Sequence, residues 1–423
     1  MKKIILSLAV PFVMYAQNLS QLFDALKVHS QTKSDEIAVQ KSEVQQDLVY
    51  ANLYPKVNLF GSFDNYSSPT NMKPIAPNVL KPMLSDQSIA QPYSYNIYKT
   101  GANFTMPIFV KFIYTAADKA KALQKSAKAK KHINLLKNEA LIVGANANYL
   151  YLDSLLKALH VKEESLQETQ KTTQIKVDNG RAPESALYKI NDALNQVAIA
   201  KNNIQLEKKK LISTIQTLTG IVLDKPVSMH ELASFSKGQM GALQPLQDKL
   251  RADRLGIKAE KEKLYPTLVA HGNYAFSKAT AYNNDKDVNE EYGNVGVVLN
   301  IPLLAMDSYA SIKLSQIELR AGEIELAKLS DELTAQAKML EDSLELLKNS
   351  QKLYVHSVED KKKLLEIAKV NYNSGRLSTE EYLRYEDDVV SQEANLYKIE
   401  ATRWQTLMQL AVIYANNIEE MVQ

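Results

Sequence analysis

Residues 53–63 read LYPKVNLFGSF, and residues 264–274 read LYPTLVAHGNY. In both stretches Leu-Tyr-Pro leads into a segment that alternates with period two and carries a glycine eight residues after the leucine. Proline cannot donate to a sheet ladder, so it belongs ahead of the strand it introduces. In the first stretch Val57, Leu59, Gly61 and Phe63 share one face against Asn58, Ser62 and Asp64. In the second, Leu268, Ala270, Gly272, Tyr274 and Phe276 oppose Thr267, His271, Asn273 and Ser277.

The duplication extends outward in order. Gly61 and Gly272 are 211 residues apart, whereas Gly101 and Pro107 match Gly296 and Pro302 at an offset of 195, as Gly180-Arg181 matches Gly375-Arg376. The offset changes once, by 16 residues, between Gly61 and Gly101. Pro69, Pro74, Pro77, Pro82 and Pro92 crowd that interval, which predicts an enlarged loop over 67–92 in the first repeat. Two further alternating segments, 96–106 and 292–301, give four strands in all with 57–66 and 267–277. Each is about ten residues long, enough to cross a membrane in a barrel with its apolar face to lipid. Tyr54, Tyr66, Tyr95, Tyr98 and Tyr292 lie near the strand ends, where interfacial girdles sit.

Between the strands the chain changes character. No proline falls in 108–182, 184–225 or 303–423, and these tracts are rich in Ala, Leu, Lys, Glu and Gln. That composition predicts long helices, from about Phe112 to Asp178 and from about Ser308 to Asn373. At 1.5 Å per residue each spans roughly 100 Å, which no compact domain requires. Ile133, Leu136, Ala140, Val143, Ala147 and Leu150 keep a four-three rhythm, as do Leu333, Ala337, Leu340, Leu344 and Leu347, and this is a coiled-coil seam. The fold class is mainly α with β: long coiled-coil helices plus four strands, too few to close a barrel without further copies. Residues 17–220 form the first repeat, 221–241 a connecting segment and 242–423 the second repeat.

The first sixteen residues read as a secretory signal, with Lys2-Lys3 ahead of the apolar Ile4 to Ala16. Lys+Arg total 51 against 48 Asp+Glu, a net charge of +3, and the two leader lysines account for most of it. Nucleic-acid binding needs a concentrated basic footprint, and none is present. The absence of cysteine excludes disulfides, thiolate metal sites, thiol nucleophiles and a lipid-bearing N-terminal cysteine. His29, His132, His160, His230, His271 and His356 are scattered, and no phosphate-cradling glycine loop occurs, so no catalytic role, cofactor or metal is expected.

Taken together, the twofold repeat, Tyr54-Pro55 and Tyr265-Pro266 before the first strands, Pro107 and Pro302 after the second ones, the turns at Gly180 and Gly375, and Leu218-Thr219-Gly220 closing the first repeat resemble the outer membrane efflux protein (TolC) family. The resemblance covers nearly all of the chain after the leader. It implies a homotrimer with a twelve-stranded transmembrane barrel in outer-membrane lipid and a helical tunnel in the periplasm. It also implies a periplasmic adaptor and an inner-membrane transporter, either an efflux pump or a type I secretion system. The expected function is that of a passive exit duct. The alternative is an exported trimeric coiled-coil adhesin or scaffold with a barrel anchor, which leaves the symmetric strand pairs without a purpose.

The resemblance also assigns residues. Gly180, Arg181, Tyr372, Gly375 and Arg376 would form the tip, where the duct closes and the adaptor binds. Tyr372 stands at the family's latch tyrosine, while Arg376 lies one residue ahead of the latch arginine. Glu381 and Arg384 occupy the positions of an acidic constriction, the second with reversed charge, and Asp388 extends the same helical face at i+7. Ser378 to Glu381 also match a capping box, and both readings of Glu381 stand. Glu380, Asp387 and Asp388 fit a solvated helix face better than they fit machinery.

Overall fold

The computed structural model describes residues 18–423; the expected leader, 1–16, lies outside them. The chain runs α1 (Leu19–Val28), α2 (Ser30–Ala51), β1 (Lys56–Asn71), α3 (Pro77–Ser85), β2 (Tyr93–Phe109), α4 (Lys111–Asp178) and α5 (Glu184–Thr219). It continues with α6 (Gln244–Glu262), β3 (Thr267–Thr280), β4 (Asp287–Asn300), α7 (Met306–Asn373), α8 (Thr379–Tyr414) and α9 (Ile418–Met421). The two long helices, α4 and α7, each have 68 residues and begin one or two residues before the expected positions. Two compact units emerge. The first comprises the N-terminal residues up to Val39 with Ala127–Pro245 and Leu326–Gln423, and the second Gln40–Ser126 with Leu246–Glu325.

In the first unit most of the predicted seam is buried, while Ala140, Leu150, Leu333 and Leu347 are half-buried. Ile133, Leu136, Val143 and Ala147 of α4 join Ala337, Leu340 and Leu344 of α7, Leu22, Phe23 and Leu26 of α1, and Trp404, Leu407 and Tyr414 of α8 in one apolar core. Residues 142–147 of α4 are buried on every side, so the seam there widens into an all-round contact. The cause is the connecting segment after α5, whose Ile221, Leu223 and Val227 enter the same core. Asn146 anchors it like a backbone partner, donating to Val227 O at 2.7 Å and accepting from Val227 N at 2.9 Å. Tyr149 donates to Asp224 O at 2.7 Å. Buried amides without such partners would cost more than the ordering they impose.

In the second unit the four strands form one antiparallel sheet in sequence order, β1-β2-β3-β4. The strands run 14 to 17 residues, longer than the predicted ten, because their outer ends lack clean alternation and read as loop. Two details differ from the expectations. Pro107 lies inside β2, at a register irregularity between Pro107 and Phe109, rather than after the strand, while Pro302 does follow β4. The segment 67–92 is also not all loop: Pro69 belongs to β1, and Pro77 sits in the first turn of α3, where its missing N–H costs nothing. The remainder is laced to the β3–β4 turn, with Gln91 N donating to Asn283 Oδ1 at 3.1 Å, Asn283 Nδ2 to Ile89 O at 2.9 Å and Lys286 Nζ to Ser88 O at 3.0 Å.

The two faces of the sheet differ sharply. Val57, Leu59, Phe63, Tyr274, Val295, Val297 and Leu299 are exposed on one, with Leu59 85% and Val295 80% accessible. On the other, Asn58, Asn103, Asn273 and Asn294 stand directly opposite one another across all four strands. Asn58 donates to Asn103 at 3.2 Å. Further along that face Ile97, Ala279 and Val288 are buried under Met72 and Ala90, and Lys73 pairs with Glu290.

Candidate functional site

The two glycine turns are built alike. Gly180 (φ +65°) and Gly375 (φ +76°) are both left-handed, a conformation that glycine adopts without steric cost. In each the next residue closes a six-residue loop onto the helix end: Arg181 N donates to Lys176 O at 2.7 Å, and Arg376 N to Asn371 O at 2.9 Å. That pattern satisfies carbonyls the helix leaves unpaired. Pro183 occupies the N-cap of α5 rather than its first turn, and Ser378 caps α8. The capping box is complete, with Glu381 N donating to Ser378 Oγ at 3.2 Å and Ser378 N to Glu381 Oε2 at 3.1 Å. The bond from the Ser378 hydroxyl holds the Glu381 carboxyl below its ordinary range, and the Arg384 guanidinium adds to the effect.

Around these turns α4, α7 and α8 meet through a buried polar cluster. Tyr372 shares a hydrogen bond with the buried Thr173 hydroxyl at 2.8 Å, and the Lys176 ammonium lies 4.8 Å from the centre of its ring. Behind it Tyr382 donates to Glu386 Oε1 at 2.5 Å, and Ser165 Oγ donates to the same oxygen at 2.6 Å. Burial, followed by the hydrogen bond to Glu386, pushes the Tyr382 phenol up to about 12. Glu386 is itself buried and satisfied by hydroxyl donors.

The residues singled out in sequence divide into groups. Tyr372, Gly375 and Arg181 line one cleft with Lys189, Ser378 and Glu380. Glu381 and Arg384 line a neighbouring groove together with Lys162, Lys189, Asp192 and Asp387. Asp388 does not join them: its carboxylate accepts from Lys361 Nζ of α7 at 2.6 Å. The i+7 spacing keeps Asp388 within about 20° of Glu381 around α8, and a lysine on the adjacent helix claims its carboxylate. Glu380 and Asp387 are exposed yet paired, with Lys189 and Lys162 respectively. Arg376 is exposed beyond its turn.

Sequence reasoning overlooked Thr173, Ser165, Tyr382 and Glu386. A signal was there: Leu152, Leu159 and Leu166 recur every seven residues along α4, and Thr173 is next in that series, so a hydroxyl replaces an apolar residue there. A buried hydroxyl needs a hydrogen-bond partner, either on the facing helix or in the preceding turn of its own.

A chain of this element order, with a free-edged four-stranded meander and two 68-residue helices, has close structural counterparts. The Campylobacter jejuni CmeC outer membrane channel superposes with a TM-score of 0.78 at 17% identity, over 95% of this chain and 86% of that one. The fold is that of the TolC-type outer-membrane channels. The outer membrane protein VceC of Vibrio cholerae gives 0.76 at 12% identity, covering 94% of this chain and 96% of its own. The MtrE outer membrane channel of Neisseria gonorrhoeae, solved in an open state, gives 0.75 at 13% over 94% and 89%. No family model matches the sequence, and no curated protein matches it either. Among the described residues no helix is long and apolar enough to cross a membrane.

Proposed function

We propose that this chain is a subunit of an outer-membrane exit duct, passively conducting substrates that an inner-membrane pump loads through a periplasmic adaptor. The observation that carries the reading is the sheet. One face is apolar and exposed, the other carries asparagines, and among the described residues β1 and β4 pair on one side only. In lipid every backbone group needs a protein partner, so such a sheet must close with others into a barrel. Four strands are too few to enclose a channel, and three copies supply twelve, within the known range of such barrels. The helical part then stands in the periplasm, with the Gly180 and Gly375 turns as the adaptor-facing tip. Tyr372, held by Thr173, serves as the closing contact, and Glu381 and Arg384 form the charged narrowing.

Single-channel recording of the purified assembly in a planar bilayer tests this. Discrete conductance steps are expected, and a purified, correctly folded protein that produces none overturns the duct. Co-purification with a periplasmic adaptor checks the pump partnership separately.

A further inference from the structure

We propose that β4 of one copy pairs antiparallel with β1 of the next in a single register, with Asn294 opposite Ser62 of the neighbouring copy. This rests on the duct reading and goes beyond it to the residues of the seam.

The phase of the two free edges follows from the hairpin. Ala281 N donates to Lys286 O at 2.8 Å, while Tyr282 N turns the other way, to Tyr93 O. Backbone groups alternate sides along a strand, and directly opposed residues alternate between bonded and non-bonded pairs. Carried through the registers of the sheet, that alternation turns the free N–H and C=O groups of Val57, Leu59, Gly61 and Phe63 outward on β1. On β4 it turns outward those of Val295, Val297 and Leu299. These are the residues whose side chains stand on the apolar face. Both edges therefore present the same phase, and residues of the apolar face must meet across the seam.

The strand ends select among the registers that phase allows. β1 starts at Lys56, directly after Pro55, and β4 ends at Asn300, two residues before Pro302. Setting Lys56 opposite Asn300 makes the ends flush and places Ser62 opposite Asn294. Sliding one way sets the end of β4 against Pro55 and the turn after α2. Sliding the other way strips Lys56 and Val57 of partners.

Glycine packing agrees with the flush register. Gly101, Gly272, Gly293 and Gly296 each lie beneath a ring from the preceding strand: Phe60, Phe104, Tyr274 and His271. Gly61 has no such cover, with only Lys99 O at 4.0 Å. Its preceding strand can only be β4 of another copy, and the flush register brings Val295, 80% exposed in the single chain, over it.

Barrel geometry agrees as well. Following directly opposed residues from Asn58 through Asn103, Asn273 and Asn294 leads to the neighbour's Ser62, four residues further up the strand. A climb of one residue per strand corresponds to a tilt of about 35°, within the usual range for closed barrels. Pairing Asn294 with Asn58 instead would give no tilt, which a closed barrel does not allow.

The chain has no cysteine, so paired substitutions report cleanly. Ser62 and Asn294 would form a non-hydrogen-bonded pair, whose Cα separation of about 4.5 Å suits a disulfide. Ser62→Cys with Asn294→Cys should oxidise to a covalent multimer that survives denaturing electrophoresis and collapses to monomer on reduction. Asn58→Cys or Asp64→Cys, each combined with Asn294→Cys, should stay largely monomeric on the same gel. Faster cross-linking through position 58 or 64, or none through any pair, overturns the register. The native mass of the wild-type particle separates this from the duct reading. A multimer with a different cross-link sinks only the register, whereas a particle that is monomeric before oxidation sinks both.

Discussion

Tyr372 and Tyr382 stack across the Gly375 turn, their ring centres 4.8 Å apart and 21° from parallel. One ring closes α7 and the other opens α8, so the stack clamps the two helices at the point where the chain reverses. Tyr372 bonds the Thr173 hydroxyl of α4, and Tyr382 meets Ser165 of α4 at the Glu386 carboxylate to which both donate. The clamp therefore ties both ends of the turn to a third helix.

Tyr372→Phe keeps the stack and deletes the bond to the neutral Thr173 hydroxyl, a loss of about 1 kcal/mol. Tyr382→Phe should cost more, roughly 2 kcal/mol, because the buried Glu386 carboxylate keeps only the Ser165 donor. Denaturant midpoints of the two variants rank them. An equal or reversed order would mean that Glu386 finds another donor. In bilayers Tyr372→Phe should also raise the open fraction of the channel.

Glu139 gives a pH prediction. It is 2% exposed, its Oε2 has no hydrogen-bond partner, and burial followed by the nearby Glu419 raises its carboxyl to about 7, against a lowering by Lys27. The folded state thus retains a proton that the unfolded chain loses above its ordinary value of 4.5. Stability should fall as pH rises from about 4.5 to about 7, with a slope approaching about 1.4 kcal/mol per pH unit, and then level off. Glu139→Gln should flatten this slope and stabilise the protein at about pH 8, with little effect at about pH 4.5. Denaturant titrations at the two pH values check it, and an unchanged slope rules it out.

Charge at the proposed narrowing gives a third. Arg384→Ala should shift ion preference toward cations and raise conductance, since it leaves Glu381 without its basic neighbour. Asp388→Asn should do less to ion preference, because that carboxylate is neutralised by Lys361. Reversal potentials in a salt gradient measure both. If Arg384→Ala moves neither quantity, the narrowing lies elsewhere along the helices.

The seam gives a fourth. Leu340 is buried in the core between α4 and α7, whereas Lys338 is exposed. Leu340→Asp places an unpaired charge there, at a cost of roughly 3 kcal/mol or more, and assembled protein should vanish from extracts. Lys338→Ala should assemble normally. Native gels of membrane extracts compare the two.

What the sequence disclosed and what it hid follow from range. Helix α4 and the seam from Ile133 to Ala147 are periodic over many turns, so both were legible from local spacing. The strands were legible where apolar and polar residues alternate and not where Ser, Thr and Asn fill both faces, as at the outer end of β1. Helix α3 was hidden because Pro77 and Pro82 read as loop until the first is seen to occupy an N-terminal position. The Tyr372–Thr173 and Ser165–Glu386 contacts join residues about two hundred apart. No periodicity encodes such a pairing, and only the hydroxyls on the seam of α4 hinted at it. The Lys361–Asp388 pair was hidden for the same reason, since the lysine lies on another helix.

In the proposed barrel, the row of asparagines across the sheet sets what a passing solute would feel. A carboxamide carries no net charge and can turn to offer either its N–H or its oxygen. A wall of such groups creates no electrostatic well for a cation or an anion to fall into, and its hydrogen bonds are exchanged with water at little net cost. Cargo would be sieved at that level by girth and released without a favoured resting place, so that throughput would be governed where the charged side chains lie.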